Sequence, residues 1–210
     1  MNKIQQYVSF RVIAVLICAL LGMQSIMAAS DPVNELSSIA DQLIAKLKEN
    51  KTSLKDNPQL VYSLANRIIV PHADIAEMSK RVLPPQIWNN ATASQHKQFQ
   101  SEFTTLLVHT YASALANYQD QTVKFYPVRG GYQNKTTVQV DSAIERPDGP
   151  PISVNYRLIL KGSDWRLYDL NVEGVSMLES FRSQFADQLS QGNMDDLLKQ
   201  LASHNTQGGE

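Results

Sequence analysis

The chain has 210 residues, with 19 Lys and Arg against 20 Asp and Glu, a formal net charge of −1, 43% hydrophobic residues and one Cys. Charge this evenly balanced provides no polybasic surface for a phosphate backbone, which argues against nucleic acid as a partner. Nine Gly and nine Pro are too few for a low-complexity or fibrous chain, and the 19% charged fraction lies below the roughly 25% of an ordinary soluble domain, leaving apolar material for a sizeable core.

The first residues read as a targeting segment. Lys3 and Arg11 precede an uncharged run over residues 12–21, and Ser25, Ala28 and Ala29 supply small residues suited to cleavage. The run is well short of the roughly 20 residues needed to span a bilayer. The expectation is a cleaved signal peptide over residues 1–29 and a single domain over residues 30–210. Cys18 stands behind Ile17, where lipidation would want a small residue. Removal of the signal takes away Lys3 and Arg11 and no acid, leaving 17 cations against 20 acids and no cysteine. An exported chain without disulfides fits a bacterial periplasm.

After the signal come helices, strands, then helices again. Asp31 and Pro32 form an N-cap and first-turn pair for a helix whose apolar residues Val33, Leu36, Ile39, Ala40, Leu43, Ile44 and Leu47 follow the 3.6-residue period. Asn57 and Pro58 repeat the signal for a second helix bearing Leu60, Val61, Leu64 and Ile68, which Pro71 stops. A short helix is predicted over 74–82, and Pro84-Pro85 is read as a break. Thr92 and Gln95 form a capping box for the longest helix, about 93–118, with Phe99, Phe103, Leu106, Leu107, Thr110, Tyr111, Ala114, Leu115 and Tyr118 on a wide apolar face.

Residues 121–173 read as the sheet on which that helix would lie. Val138, Val140, Ser142 and Ile144 alternate with polar neighbours, Pro147-Asp148-Gly149-Pro150 turns the chain, and Ile152, Val154, Tyr156, Leu158 and Leu160 alternate again. With 165–172 and 122–126 this gives four antiparallel strands with one apolar face. Ser176 and Glu179 then cap a helix bearing Leu178, Phe181, Phe185 and Leu189, and Asn193 caps a last short one through Leu201, with the tail fraying from Ser203. The expected class is α+β: helices packed on one face of a four-stranded antiparallel sheet, with an apolar cavity between the layers.

Motifs for chemistry are absent. The sequence has no His-Glu-x-x-His helix, no Cys cluster and no glycine-rich phosphate loop, so neither a metal nor a nucleotide cofactor is expected. Gly174-Val175-Ser176 sits where a strand hands over to a helix but lacks the second glycine of a nucleophile elbow, and Ser176 is read as a cap. His109 is read as a packed or surface side chain of the long helix, and His72 with Asp74 as caps rather than ligands. What remains is apolar surface. Phe103, Leu106, Leu107, Tyr111 and Leu115 on the long helix, Val140, Val154, Tyr156, Leu158 and Trp165 on the strands, and Leu178 and Phe181 on the next helix are the candidate pocket residues. Arg81, Arg129 and Arg182 are candidates for docking acidic partners or for standing near a phosphate.

The run Trp165-Arg166-Leu167-Tyr168-Asp169, followed by Glu173-Gly174-Val175-Ser176, resembles the signature of the MlaC (toluene-tolerance) family of periplasmic phospholipid-binding proteins. The resemblance continues in Phe181-Arg182 and Phe185 and reaches upstream through Pro71, Asp74, Trp88 and the Phe99/Phe103/Leu107/Tyr111 helix, so it spans about 31–201. Val82-Leu83-Pro84-Pro85 replaces a common Leu-Gly, and Phe181 stands where a tyrosine is frequent. The resemblance implies a non-enzymatic lipid carrier with phospholipid as cargo. Its partners would be an outer-membrane lipoprotein–porin complex and an inner-membrane ABC transporter, met through the transporter's substrate-binding subunit, and its role the maintenance of outer-membrane lipid asymmetry. Two rival readings remain open: a periplasmic adaptor or chaperone that binds no lipid, and an enzyme using Tyr111, Asp169 or His109 on a small apolar substrate.

Overall fold

The computed structural model describes residues 29–207. The expected signal peptide, with Cys18, lies outside the described residues apart from Ala29 at its last position.

The helix starts are built from their own side chains. In α1 (Pro32–Glu49) the Asp31 carboxylate accepts from the Val33 N–H at 2.8 Å, and Pro32 occupies a first-turn position that needs no donor. Helix α2 (Pro58–Ile68) repeats the device, Asn57 Oδ1 accepting from Leu60 N at 3.1 Å. A 3₁₀ turn at Val70–His72 leads to α3 (Ile75–Val82), capped by Asp74, which accepts from Glu77 N at 2.9 Å while its other oxygen meets Lys161 at 3.0 Å. Pro84-Pro85, expected only to break the chain, opens an additional short helix, α4 (Pro85–Asn90). Pro84 is extended, and Pro85, which has no N–H to give, takes the first turn.

The longest helix, α5 (Ala93–Ala116), begins at the expected capping box of Thr92 and Gln95. Its principal partners are not the strands but other helices: α2, α3 and the last helix, α7 (Met194–Gln207). The expected placement of α5 flat on the sheet is therefore corrected. Helix α6 (Met177–Ser190) fills the contact with the sheet instead, packing against α3 and the fourth strand. The tail does not fray from Ser203. Helix α7 runs on to Gln207, and buried Asn205 donates from Nδ2 to the Glu102 carbonyl at 3.0 Å and to its carboxylate at 2.7 Å, tying the C-terminus to α5.

Five strands rather than four form the sheet, in the order β1 (Thr122–Phe125), β2 (Thr137–Glu145), β3 (Ile152–Lys161), β4 (Asp164–Val172) and β5 (Val175–Ser176), all antiparallel. The extra strand arises because Glu173 and Gly174 take left-handed φ values of 51° and 87°, turning the chain back so that Val175 and Ser176 pair with Val172 and Asn171. At the other end of β4, Asp74 N donates to the Leu167 carbonyl at 2.8 Å, covering that part of the edge.

Four phenylalanines bind the helical layer together. Phe185 meets Phe99 and Phe103 edge-on at 5.6 and 5.8 Å between ring centroids, and Phe181 meets Phe103 edge-on at 5.5 Å. Such contacts set the positive ring edge against the negative face and add to the burial of large side chains. Phe185 is 1% exposed. Phe185→Ala is expected to lower unfolding free energy by about 3–5 kcal/mol in denaturant titration. A loss near that of a surface substitution would show that this cluster does not carry the fold.

Candidate functional site

The register of β2 against β3 separates two chemically distinct faces. Val138 pairs with Leu158, Val140 with Tyr156, Ser142 with Val154 and Ile144 with Ile152, and because side chains alternate along a strand these residues share one face. Gln139, Asp141, Asn155 and Arg157 occupy the other, where Asp141 accepts from both Gln139 and Asn155 at 2.7 Å.

Among the described residues the buried apolar side chains fall into three clusters. One joins α3, α5, α6 and α7 around the phenylalanines and reaches the sheet only through Tyr168 and Leu170. A second lies between the C-terminal half of α1, α2 and the end of α5. The third is the apolar face of the sheet, Val138, Val140, Leu158 and Trp165, onto which Val33 and Leu36 at the start of α1 pack. Helix α1 thus leaves the sheet at one end and joins the helices at the other. The helical cluster and the sheet cluster are divided, α5 having its principal contacts with other helices and not with β2 or β3.

The residues read from sequence distribute along that division. Phe103, Leu106, Leu178 and Phe181 are buried in the helical cluster, with Leu107 packed against it, and Leu115 packs against the second. Val140, Tyr156, Leu158 and Trp165 belong to the sheet cluster, and Val154 is buried on the same face. Trp165 also serves the architecture, its Nε1 donating to the Ser30 carbonyl at 2.9 Å. Tyr111 on α5 is 38% exposed. Burial raises its hydroxyl pKa and the charge of Asp169 raises it further. Burial likewise raises the pKa of Tyr156, against a smaller opposing effect of its contact with Ser142, keeping the phenol neutral.

The three arginines are not gathered at one point. Arg129 is 93% exposed and meets Asp141, on the polar face, at 3.5 Å. Arg81 pairs with Glu77 at 2.6 Å and lies over the Tyr168 ring at 4.5 Å, while Arg182 is exposed on α6.

Ser176 and Asp169 are engaged in structural hydrogen bonds. Ser176 Oγ donates to Asp169 at 2.8 Å and accepts from Glu179 N at 3.1 Å, which spends it on capping α6. His109 stacks on Tyr62 at 4.3 Å, and burial together with His204 holds its pKa below the usual value. Asp169 is fully buried. Its carboxylate accepts from Ser176, from Leu178 N at 3.0 Å and from Arg157 at 3.3 Å. It follows Tyr168, the extra residue of a β-bulge between the pairs Arg157–Asp169 and Leu158–Leu167. The partnership of Asp169 with Arg157 depends on this bulge and leaves no motif in the sequence by which it could be read. Among the described residues no group of three or more His, Cys, Asp or Glu could hold a metal ion.

Residues 37–203 match the family described as MlaC protein. The chain belongs to the MlaC family. It is 30% identical over 174 residues, covering 83% of this chain and 80% of the relative, to toluene tolerance protein ttg2D of Pseudomonas putida. It is 24% identical over 204 residues, covering 96% of this chain and 94% of the relative, to the intermembrane phospholipid transport system binding protein MlaC of Haemophilus influenzae. A solved structure of the phospholipid-binding protein from Ralstonia solanacearum, in complex with a phospholipid, superposes with a TM-score of 0.79 at 32% identity, covering 86% of this chain and all of that one.

In this MlaC-family chain the resembling signature is a joint: Tyr168 makes the bulge, Asp169 anchors α6, Glu173 and Gly174 turn the chain, and Ser176 caps. Asp169→Ala is expected to cost about 3–5 kcal/mol, since it leaves Arg157 and the α6 donors without their acceptor. Hydrogen exchange should report faster opening of the Leu178 amide. Unchanged stability and exchange would remove the anchor role.

Proposed function

We propose that this protein binds phospholipid with its acyl chains between the apolar sheet face and α5, and carries it through the periplasm. Its proposed exchange partners are an outer-membrane lipoprotein–porin complex and the substrate-binding subunit of an inner-membrane ABC transporter, and its proposed role is the upkeep of outer-membrane lipid asymmetry. No chemical step is involved. The observation that carries this reading is the likeness to a solved structure that holds a phospholipid, supported by the division between the apolar helical and sheet clusters.

The physical need for such a carrier follows from hydration. Each methylene moved into water costs about 0.8 kcal/mol, so a diacyl lipid with roughly 30 of them faces a barrier on the order of 20 kcal/mol. A cavity as apolar as the bilayer makes transfer nearly balanced. The same arithmetic makes unaided release slow, so docking at each membrane must open the space. Tyr111, Leu107, Val140, Val154 and Leu158 are the proposed acyl-chain contacts.

Native mass spectrometry of protein purified from periplasmic extract without detergent is expected to show an added mass that resolves into phospholipid on extraction. Val154→Asp or Leu107→Asp, each placing a charge against the acyl chains, is expected to abolish that mass while circular dichroism still reports the fold. A folded variant that keeps its lipid would overturn the placement. A wild-type chain that carries no lipid and cannot be loaded from vesicles would favour an adaptor acting through its surface.

A further inference from the structure

Two hydroxyls stand on the otherwise apolar face of the sheet. Ser142 and Tyr156 come from neighbouring strands, and their register partners on that face are Phe125, Val154, Val140 and Leu170. Ser142 Oγ lies 3.5 Å from Tyr156 Oη, and among the described residues this is the one hydrogen bond that either side chain makes. Two hydroxyls carry two protons and the contact uses one, so one O–H is left without an acceptor in either orientation of the pair.

Ser142 is buried and Tyr156 partly so, with the Phe125 ring 5.6 Å from the phenol. Ser142 is 3% exposed, so water has little access to the spare proton on this face. Once acyl chains lie on it, an unpaired donor there costs as much as a lost hydrogen bond, unless the ligand supplies an acceptor. Below its phosphate, a diacyl phospholipid carries strong acceptors at one place, the ester carbonyls. An ether-linked lipid of equal chain length lacks them.

We propose that the Ser142–Tyr156 pair donates a hydrogen bond to an ester carbonyl of the bound lipid, and so makes the site selective for ester-linked over ether-linked chains. This rests on the phospholipid-binding reading above. It assigns the pair a role in positioning the glycerol end of the lipid relative to the sheet, distinct from the apolar contacts that hold the chains.

The test is a competition. Protein stripped in detergent is reloaded from vesicles containing equal parts of dipalmitoyl phosphatidylcholine and its dihexadecyl diether analogue, and the bound lipids are extracted and counted by mass spectrometry. Wild type is expected to carry the diester in about 3- to 10-fold excess, the effect of one neutral hydrogen bond. The S142A/Y156F double variant is expected to load both lipids in a ratio of about one. Equal loading by wild type, or a preference that survives in the double variant, overturns the inference and leaves the carrier reading standing. Wild type that loads neither lipid overturns the carrier reading, and this inference with it. If the double variant does not fold, Tyr156→Phe alone must reduce the preference at least about twofold, or the inference falls.

Discussion

The Asp169 carboxylate occupies the point where β3, β4 and the start of α6 meet, and each of its contacts comes from a different one of these elements or their junction. A buried carboxylate carries a desolvation penalty of several kcal/mol unless its oxygens are fully engaged. Here one oxygen takes the Leu178 N–H, and the other takes the Ser176 hydroxyl and the Arg157 guanidinium. Hydrogen bonds to a charged acceptor contribute about 1.5–3 kcal/mol each, so the group is stable only when all three donors are present at once. The bulge, the tight turn at Glu173 and Gly174, and the cap of α6 are consequently conditions of one another. Helix α6 is fixed to the sheet at this end, and its phenylalanines in turn fix α5.

That arrangement holds the helical and sheet layers together although their apolar clusters stay separate. A fully zipped core would put α5 on the apolar face of β2 and β3. Instead α5 packs on α2, α3 and α7, and the sheet face receives the start of α1 together with Phe125, Val128 and Tyr132 from β1 and the segment after it. The layers meet at the Asp169 joint, along α1, and at Asp74, whose N–H and carboxylate reach Leu167 and Lys161. At its centre the cover on the sheet face is close, Val140, Val154, Leu158 and Trp165 being at most 2% exposed.

Most of the elements could be read from the chain because their signals are local. Asp31, Asn57, Asp74, Thr92, Ser176 and Asn193 each accept from backbone N–H groups two or three residues on, a pattern visible in a line of sequence. The alternation of β2 and β3 was equally plain, since their apolar face is continuous. What escaped is what depends on distant pieces. The partner of α5 could not be read because a wide apolar face fits helices and sheet alike. Helix α7 continues past Ser203 because Asn205 finds Glu102 across the fold, a contact that polarity of the tail gives no hint of. Pro84-Pro85 carries the same residues whether it ends one helix or opens the next. The candidate site was legible as a set of apolar residues, whereas the Ser142–Tyr156 contact required knowledge of strand register.

The order of strands along the sheet has a kinetic consequence. Each strand lies beside its neighbours in the chain, so every pairing closes a short loop and none waits for a distant segment. The sheet can therefore assemble as a unit from local contacts. The long-range closures lie elsewhere, Ser30 meeting Trp165 across 135 positions of sequence and Glu102 meeting Asn205 across 103. A chain of this design can form its sheet from contacts near in sequence, and the helices at its two ends are brought to their places by contacts far apart in it.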